Sequence, residues 1–399
     1  MLYLSHRIEN TPASPIRKLV PFADAAKERG TEVFHLNIGQ PDIETPKSGV
    51  DKLQQAELGV IAYTHSAGLL SYRKTLVEFY AKYNMPLTPE EIIVTNGGSE
   101  ALLMAMIVCC DAGDEIIVPE PFYANYNGFA RTLDVKVVPV TSSIDTGFAL
   151  PSISEFEKKI TDNTRVILIC NPGNPTGYIY SPEELLQLRD MVQKHNLYLI
   201  ADEVYRDFYY SEKKHTSILA IEGLEYHSIV IDSISKRYSA CGARLGMLIS
   251  KNQFFMAAAM KVAQARLSPS TLAQILGEGL ANTPPSYFEE VKEEYNSRRK
   301  LVLNRLQQMD GVLCPNPTGA FYVMVKLPVD DAEKFCQWLL EDFSHHGKTV
   351  MMAPGAGFYS SLGLGLQEAR IAYVLNTAAL EEAMDCLEVA LQVYPGRVL

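Results

Sequence analysis

From residue 91 to residue 250 the chain repeats one pattern: a short apolar run, a turn and, in most cases, a stretch long enough for a helix. The runs are EIIVT, DEIIVP, VKVVPV, RVILIC, LYLIAD, SIVIDS and GMLIS. Strands that are apolar almost throughout, rather than at alternate positions, are buried on both faces. Alternation with helices puts those helices on the two faces of a mostly parallel sheet. One large α/β domain is expected, its seven-stranded sheet sandwiched by helices.

The flanks read differently. PPSYFEEVKEEYNSRRKLVLNRLQQM is a long, charged, amphipathic helix. After it come PTGAFYVMVKL, a helix through FCQWLLEDF, the runs TVMMAPG and RIAYV, and a final helix, which together predict a smaller α+β domain. Near the start, Ser14 can cap a helix and Pro15 suits its first turn, so a helix is expected through IRKLVPFADAAKERG, ending at Gly30. VFHLNIG then reads as a strand. At 399 residues the chain is long for one domain. The expected division is 1–45 as an N-terminal arm and part of the small domain, 46–285 as the large domain, and 286–399 as the small C-terminal domain with the long helix bridging at its start.

A net charge of −11 repels nucleic acid and anionic membranes over most of the surface, so neither is expected as a partner. No apolar run is long enough to span a bilayer, and MLYLSHRIENTPASP lacks a basic region followed by an apolar core. The seven cysteines form no paired framework. These features predict a cytoplasmic protein.

Four motifs follow buried strands. TNGGSEALLMA ends a strand at Thr95 and opens a helix near Ser99, and two glycines with free first-turn N–H groups make an anion site. Alone it is also an ordinary strand-to-helix turn. CNPGNPTGYIYS carries two Asn-Pro pairs that stiffen the loop and can aim an amide at a ligand, or simply cap themselves. LYLIADEVYRDF ends its strand with Asp202 and Glu203, with Tyr205 close behind; an acid there suits a metal or a protonated ring nitrogen. No His or Cys cluster supports a metal, and His345-His346 reads as a solvated pair. In SISKRYSACGARLG, burial lowers the pKa of Lys236 and leaves more of the neutral amine, while Ser233, Ser235 and Arg244 are donors suited to a phosphate. An amine, a carboxylate, an amide with a phenol, and a phosphate cradle are together what pyridoxal phosphate requires of a protein.

Taken in order, from NIGQPD to the arginine of EARIAYV, these motifs resemble those of the class I, fold-type I aminotransferases, the aspartate aminotransferase superfamily. The resemblance implies pyridoxal 5'-phosphate as cofactor, with Lys236 as the aldimine lysine and proton carrier. It implies that Asp202 pairs with the pyridine nitrogen and that Asn174 and Tyr205 hold the 3′ oxygen, Asn174 also facing substrate. Gly98, Ser99, Ser233 and Arg244 would bind the phosphate, joined by Tyr63 of AYTHSAGLLSYR from across a dimer interface. Tyr123 of PEPFYANY would stack on the ring, where many members carry tryptophan. Arg370 would hold the substrate α-carboxylate, Gly39 would belong to the segment that folds over substrate, and Arg17 of SPIRKL is the candidate for a side-chain carboxylate.

The implied reaction moves an amino group from an L-amino acid, aspartate first, to a 2-oxo acid such as 2-oxoglutarate, by a ping-pong course through aldimine and pyridoxamine phosphate in a homodimer with shared sites. The same residues suit a carbon–sulfur β-lyase, and a non-catalytic regulatory protein on this scaffold is the reading from another class.

Overall fold

The computed structural model describes residues 2–9, 11, 14–211 and 214–398. Its strands are β1 (Glu32–His35), β2 (Ile92–Thr95), β3 (Glu115–Glu120), β4 (Lys136–Thr141), β5 (Thr164–Cys170), β6 (Tyr198–Asp202), β7 (Ser228–Ser233), β8 (Gly246–Ile249), β9 (Tyr322–Lys326), β10 (Lys348–Met351), β11 (Ala353–Pro354) and β12 (Glu368–Ala372). The seven runs noted in the sequence form one sheet in the order β2-β8-β7-β6-β5-β3-β4. Only β8 runs against its neighbours; the other pairings are parallel.

Alternation within each strand explains the apolar runs. Ile93, Ile116, Leu168, Ile200 and Ile231 point into one core, against helices Gly98–Cys109 and Gln253–Ala265. Val94, Ile117, Ile167, Leu199 and Val230 point into the other, against helices Leu70–Ala81 and Pro182–His195. Both faces are dry, so the strand bodies have no room for chemistry. Reactive groups are pushed to the strand ends.

A third core lies outside this sheet. β11, β12 and β9 form an antiparallel sheet, and β1 pairs in parallel with β10, which joins the start of the chain to its last third. Helix Pro285–Gln308 buries Val291, Tyr295, Val302 and Leu306 there, while Tyr287 in its first turn touches this core and one core of the large sheet. Among the described residues no helix is long and apolar enough to cross a membrane.

One expectation fails. The first long helix covers Val20–Glu28, and residues 15–19 form turns instead of its opening. Pro21 is the reason. It has no N–H to give the carbonyl four residues earlier, and its ring crowds that carbonyl, so it is accommodated only in a first turn. Ser14 and Pro15 are thereby freed from helix geometry and reach a cavity and a loop respectively. Arg370 lies inside β12.

Gly246 pairs with Thr95 on one side and Ser233 on the other, and a Cβ there would sit 2.4 Å from the backbone carbon of Gly97. Gly246→Ala should therefore push out the 96–98 turn and cost about 1–3 kcal/mol of stability. Denaturant unfolding checks this, and an unchanged midpoint contradicts it.

Candidate active site

Because β8 is antiparallel, its first residue is level with the last residues of β2 and β7; Asp202 lies beside Cys170 at the ends of β6 and β5. A cavity of about 560 Å³ opens over these ends. It is lined by Gly98, Ser99, Tyr123, Asn174, Asp202, Tyr205, Ser233, Ser235, Lys236 and Arg244, which follow or end strands of the large sheet, and by Arg17, Gly39 and Arg370 from outside that sheet. Tyr63 is not among them. It stands 82% exposed on the surface of the chain.

Lys236 sits on a single helical turn, Ile234–Arg237, whose N-cap Ser233 accepts from the Ser235 N–H at 3.0 Å. Its Nζ donates to the Gly39 carbonyl at 2.8 Å. Burial lowers its pKa below that of an ordinary lysine, and Arg370 and Arg244 act in the same direction.

Asp202 is buried, and among the described residues its carboxylate accepts from neutral donors, the Tyr126 hydroxyl at 2.9 Å and the Val204 N–H at 3.4 Å. Burial outweighs both bonds and pushes the carboxyl up to about 6. Beside it, the Tyr205 hydroxyl lies 2.9 Å from that of Tyr322, and the Asn174 amide donates to Tyr205 at 3.5 Å.

Arg370 is a second unpaired charge. Its Nη1 donates to Asn174 Oδ1 at 2.8 Å and Nη2 to the Asn37 carbonyl at 2.5 Å, while Nε has no partner. The guanidinium lies 4.4 Å over the Tyr322 ring, and burial lowers its pKa. A carboxylate facing this group would gain a charge-assisted pair in a dry setting.

At the far end, Gly97 has φ +85° and a Cβ on it would lie 2.3 Å from Arg244 Nη2. The missing side chain lets the guanidinium rest on the turn, beside the N–H groups that open helix Gly98–Cys109 and the hydroxyls of Ser99, Ser233 and Ser235. This is a cradle of positive and donor groups.

Pyridoxal phosphate fits these residues. Its ring N–H would give Asp202 a cationic hydrogen-bond partner, its phosphate would match the Arg244 and Gly97 cradle, and its carbonyl carbon would face an amine whose pKa burial lowers.

Sequence reasoning missed Tyr126, Tyr322, Asn37 and Cys241. Tyr126 lies one helical turn beyond Tyr123, a spacing that could have drawn attention. Tyr322 carried no signal, because only tertiary packing shows that its hydroxyl would be 1.7 Å from a Cβ at position 39. That contact explains the glycine at Gly39. Cys241 lines the cavity and its thiol donates to the Ser235 carbonyl at 3.0 Å.

The fold has counterparts. The family model described as aminotransferase class I and II matches residues 31–387. An aspartate aminotransferase from Pyrococcus horikoshii is 33% identical over 396 residues, covering 98% of this chain and 97% of that protein. The solved aspartate aminotransferase from Thermus thermophilus with maleate superposes with a TM-score of 0.89 at 28% identity, over 98% of this chain and 100% of the other. An alanine aminotransferase from Pyrococcus furiosus gives 0.88 at 30% identity, over 97% and 99%.

The Asp202 carboxyl titrates higher in the fold than in the unfolded chain, so it favours folding at low pH and this contribution is lost as pH rises through about 6. In cofactor-free protein, the stability of wild type relative to Asp202→Asn should fall by about 2 kcal/mol between pH 4 and 7. Urea titrations across that window check it; a pH-independent difference contradicts it.

Proposed function

The chain belongs to the class I and II aminotransferases, and on that premise we propose that Lys236 anchors the cofactor and that an acidic amino acid, aspartate first, is the donor. The enzyme is a pyridoxal-phosphate-dependent aminotransferase. The observation that carries the residue assignment is the meeting of buried Asp202 and Arg370 with half-buried Lys236 around one cavity, none in a salt bridge among the described residues.

When bound, the cofactor supplies an electron-accepting ring that acidifies the α hydrogen of an attached amino acid. Asp202, ionised, would keep the proton on the ring nitrogen. Tyr205 and Asn174 would hold the 3′ oxygen, Tyr123 the ring, and Gly98, Ser99, Ser233, Ser235 and Arg244 the phosphate. Arg370 grips the substrate α-carboxylate, with Asn174 fixing the guanidinium plane. Lys236, its pKa lowered by burial, takes the proton from the substrate α carbon. The Ile16 and Gly39 segments border the cavity.

Arg17 supports an acidic donor. It lines the cavity across from the sheet, and its guanidinium makes no hydrogen bond or ion pair among the described residues. A solved relative carries maleate, itself a dicarboxylate. The homodimer reading rests on Val60, Ile61, Tyr63 and Leu267, large side chains exposed on the single chain; Tyr63 would complete the partner's phosphate site. A cytoplasmic location accords with seven free cysteines.

Mixing the purified enzyme with single amino acids should convert the lysine-bound cofactor band to the amine form with aspartate or glutamate, and 2-oxoglutarate should reverse it. Conversion by alanine or aromatic donors alone contradicts the donor assignment. Arg370→Lys should lower kcat/KM for every donor roughly ten- to a hundredfold, the worth of a charged hydrogen-bond pair. Arg17→Gln should lower it by roughly tenfold for acidic donors only, since a single charged contact at a solvent-facing edge is at stake. Equal losses for alanine and aspartate would remove Arg17 from specificity.

A further inference from the structure

Lys236 stands on a helix of four residues, and a single turn is too short to hold its own conformation. Something else must fix the amine relative to Asp202. The surrounding side chains form a buried network that the chemistry above does not use.

Asp232, the penultimate residue of β7, is fully buried. Its Oδ1 accepts the Ser233 N–H at 2.7 Å, and Nη2 of Arg237 reaches both of its oxygens at 2.5 Å. The carboxylate thus bonds to residues on either side of Lys236 and closes a clip around it. Its Oδ2 also accepts the Tyr80 hydroxyl at 2.7 Å and lies 3.4 Å from Arg206 Nη1. Arg206 follows Tyr205 directly and pairs with Glu203, the neighbour of Asp202, at 3.6 Å. Asp232 therefore joins the segment bearing Lys236 to the segment bearing Asp202 and Tyr205.

Further contacts hold Arg237 in place. Its Nε is 3.0 Å from Asp207, which accepts the Tyr83 hydroxyl at 2.8 Å, and its guanidinium lies 4.8 Å over the Phe79 ring. His215 faces Glu203 at 3.7 Å. Three carboxylates and two guanidinium groups are enclosed here, an arrangement costly to desolvate and weak as a source of stability alone. Its value is geometric: both oxygens of Asp232 are engaged, by Ser233, Tyr80 and Arg237 together, and that set of contacts fits one arrangement of the segment.

We propose that the Asp232–Arg237 clip, extended through Arg206, is a positioning device that sets the Lys236 amine relative to Asp202 and Tyr205. Neither residue touches the cavity, so both act through Lys236. The inference rests on the reading of Lys236 given above.

The test uses Arg237→Gln, Asp232→Asn and the conservative Arg237→Lys. In cofactor-free protein, amide exchange at 233–238 should accelerate by about tenfold or more in the first two, as a local opening does, with β9 and β12 unchanged. In the holoenzyme, kcat should fall about tenfold or more with KM held within about threefold, the signature of lost transition-state alignment. The pH midpoint of the lysine-bound cofactor band should move as well, and Arg237→Lys should recover part of each effect. Wild-type exchange at 233–238 in both variants overturns the clip. So does a general loosening of all peptides whose surviving folded fraction keeps the wild-type kcat and pH midpoint, because that is a structural role alone. Turnover by Lys236→Ala would instead overturn the reading of the lysine, and this inference with it.

Discussion

Burial of Asp202 at the carboxyl end of β6 is the constraint on which the rest of the site depends. Its carboxyl meets a phenol and one N–H, which do not offset the loss of water, and so it is held near a pKa of 6. A group in that state is stabilised by a cationic ligand and by little else in the chain. Lys236 and Arg370 are the complementary cases, an amine and a guanidinium whose charged forms burial disfavours. The cavity between them is shaped for a ligand carrying a ring cation, an anionic tail and a carboxylate.

The scaffold makes this arrangement possible. With both faces of the seven-stranded sheet covered, every polar side chain that must face a ligand is delivered by a strand end or by the turn after it. The single reversed strand, β8, matters most. It sets Gly246 between Thr95 and Ser233, which brings the Gly97 turn and Arg244 to the same level. The third core then supplies the opposite wall, with Tyr322 on β9 and Arg370 on β12 packed against each other.

How much of this could be read from the sequence follows from the range of each interaction. The strands of the large sheet were legible because double burial writes an apolar run into each one. Lys236, Asp202 and Asn174 were legible as candidates because each directly follows such a run, and the structure brings all three to one cavity. The opening helix was misjudged because Ser14 and Pro15 made a plausible start while Pro21, six residues on, decided the matter. Tyr126 and Tyr322 were missed because their roles depend on partners 76 and 117 residues away. Asp232 and Arg237 carried no signal of their own in the sequence; only burial on the side of Tyr80 and Phe79 shows their contacts.

The central claim is that the amine of Lys236 holds the cofactor at the end of β7. Borohydride reduction of the holoenzyme followed by peptide mapping tests it most directly. The account predicts a pyridoxyl-phosphate mass on the peptide containing Lys236 and none on any other lysine. A label on another lysine, or none with the cofactor bound, would contradict it.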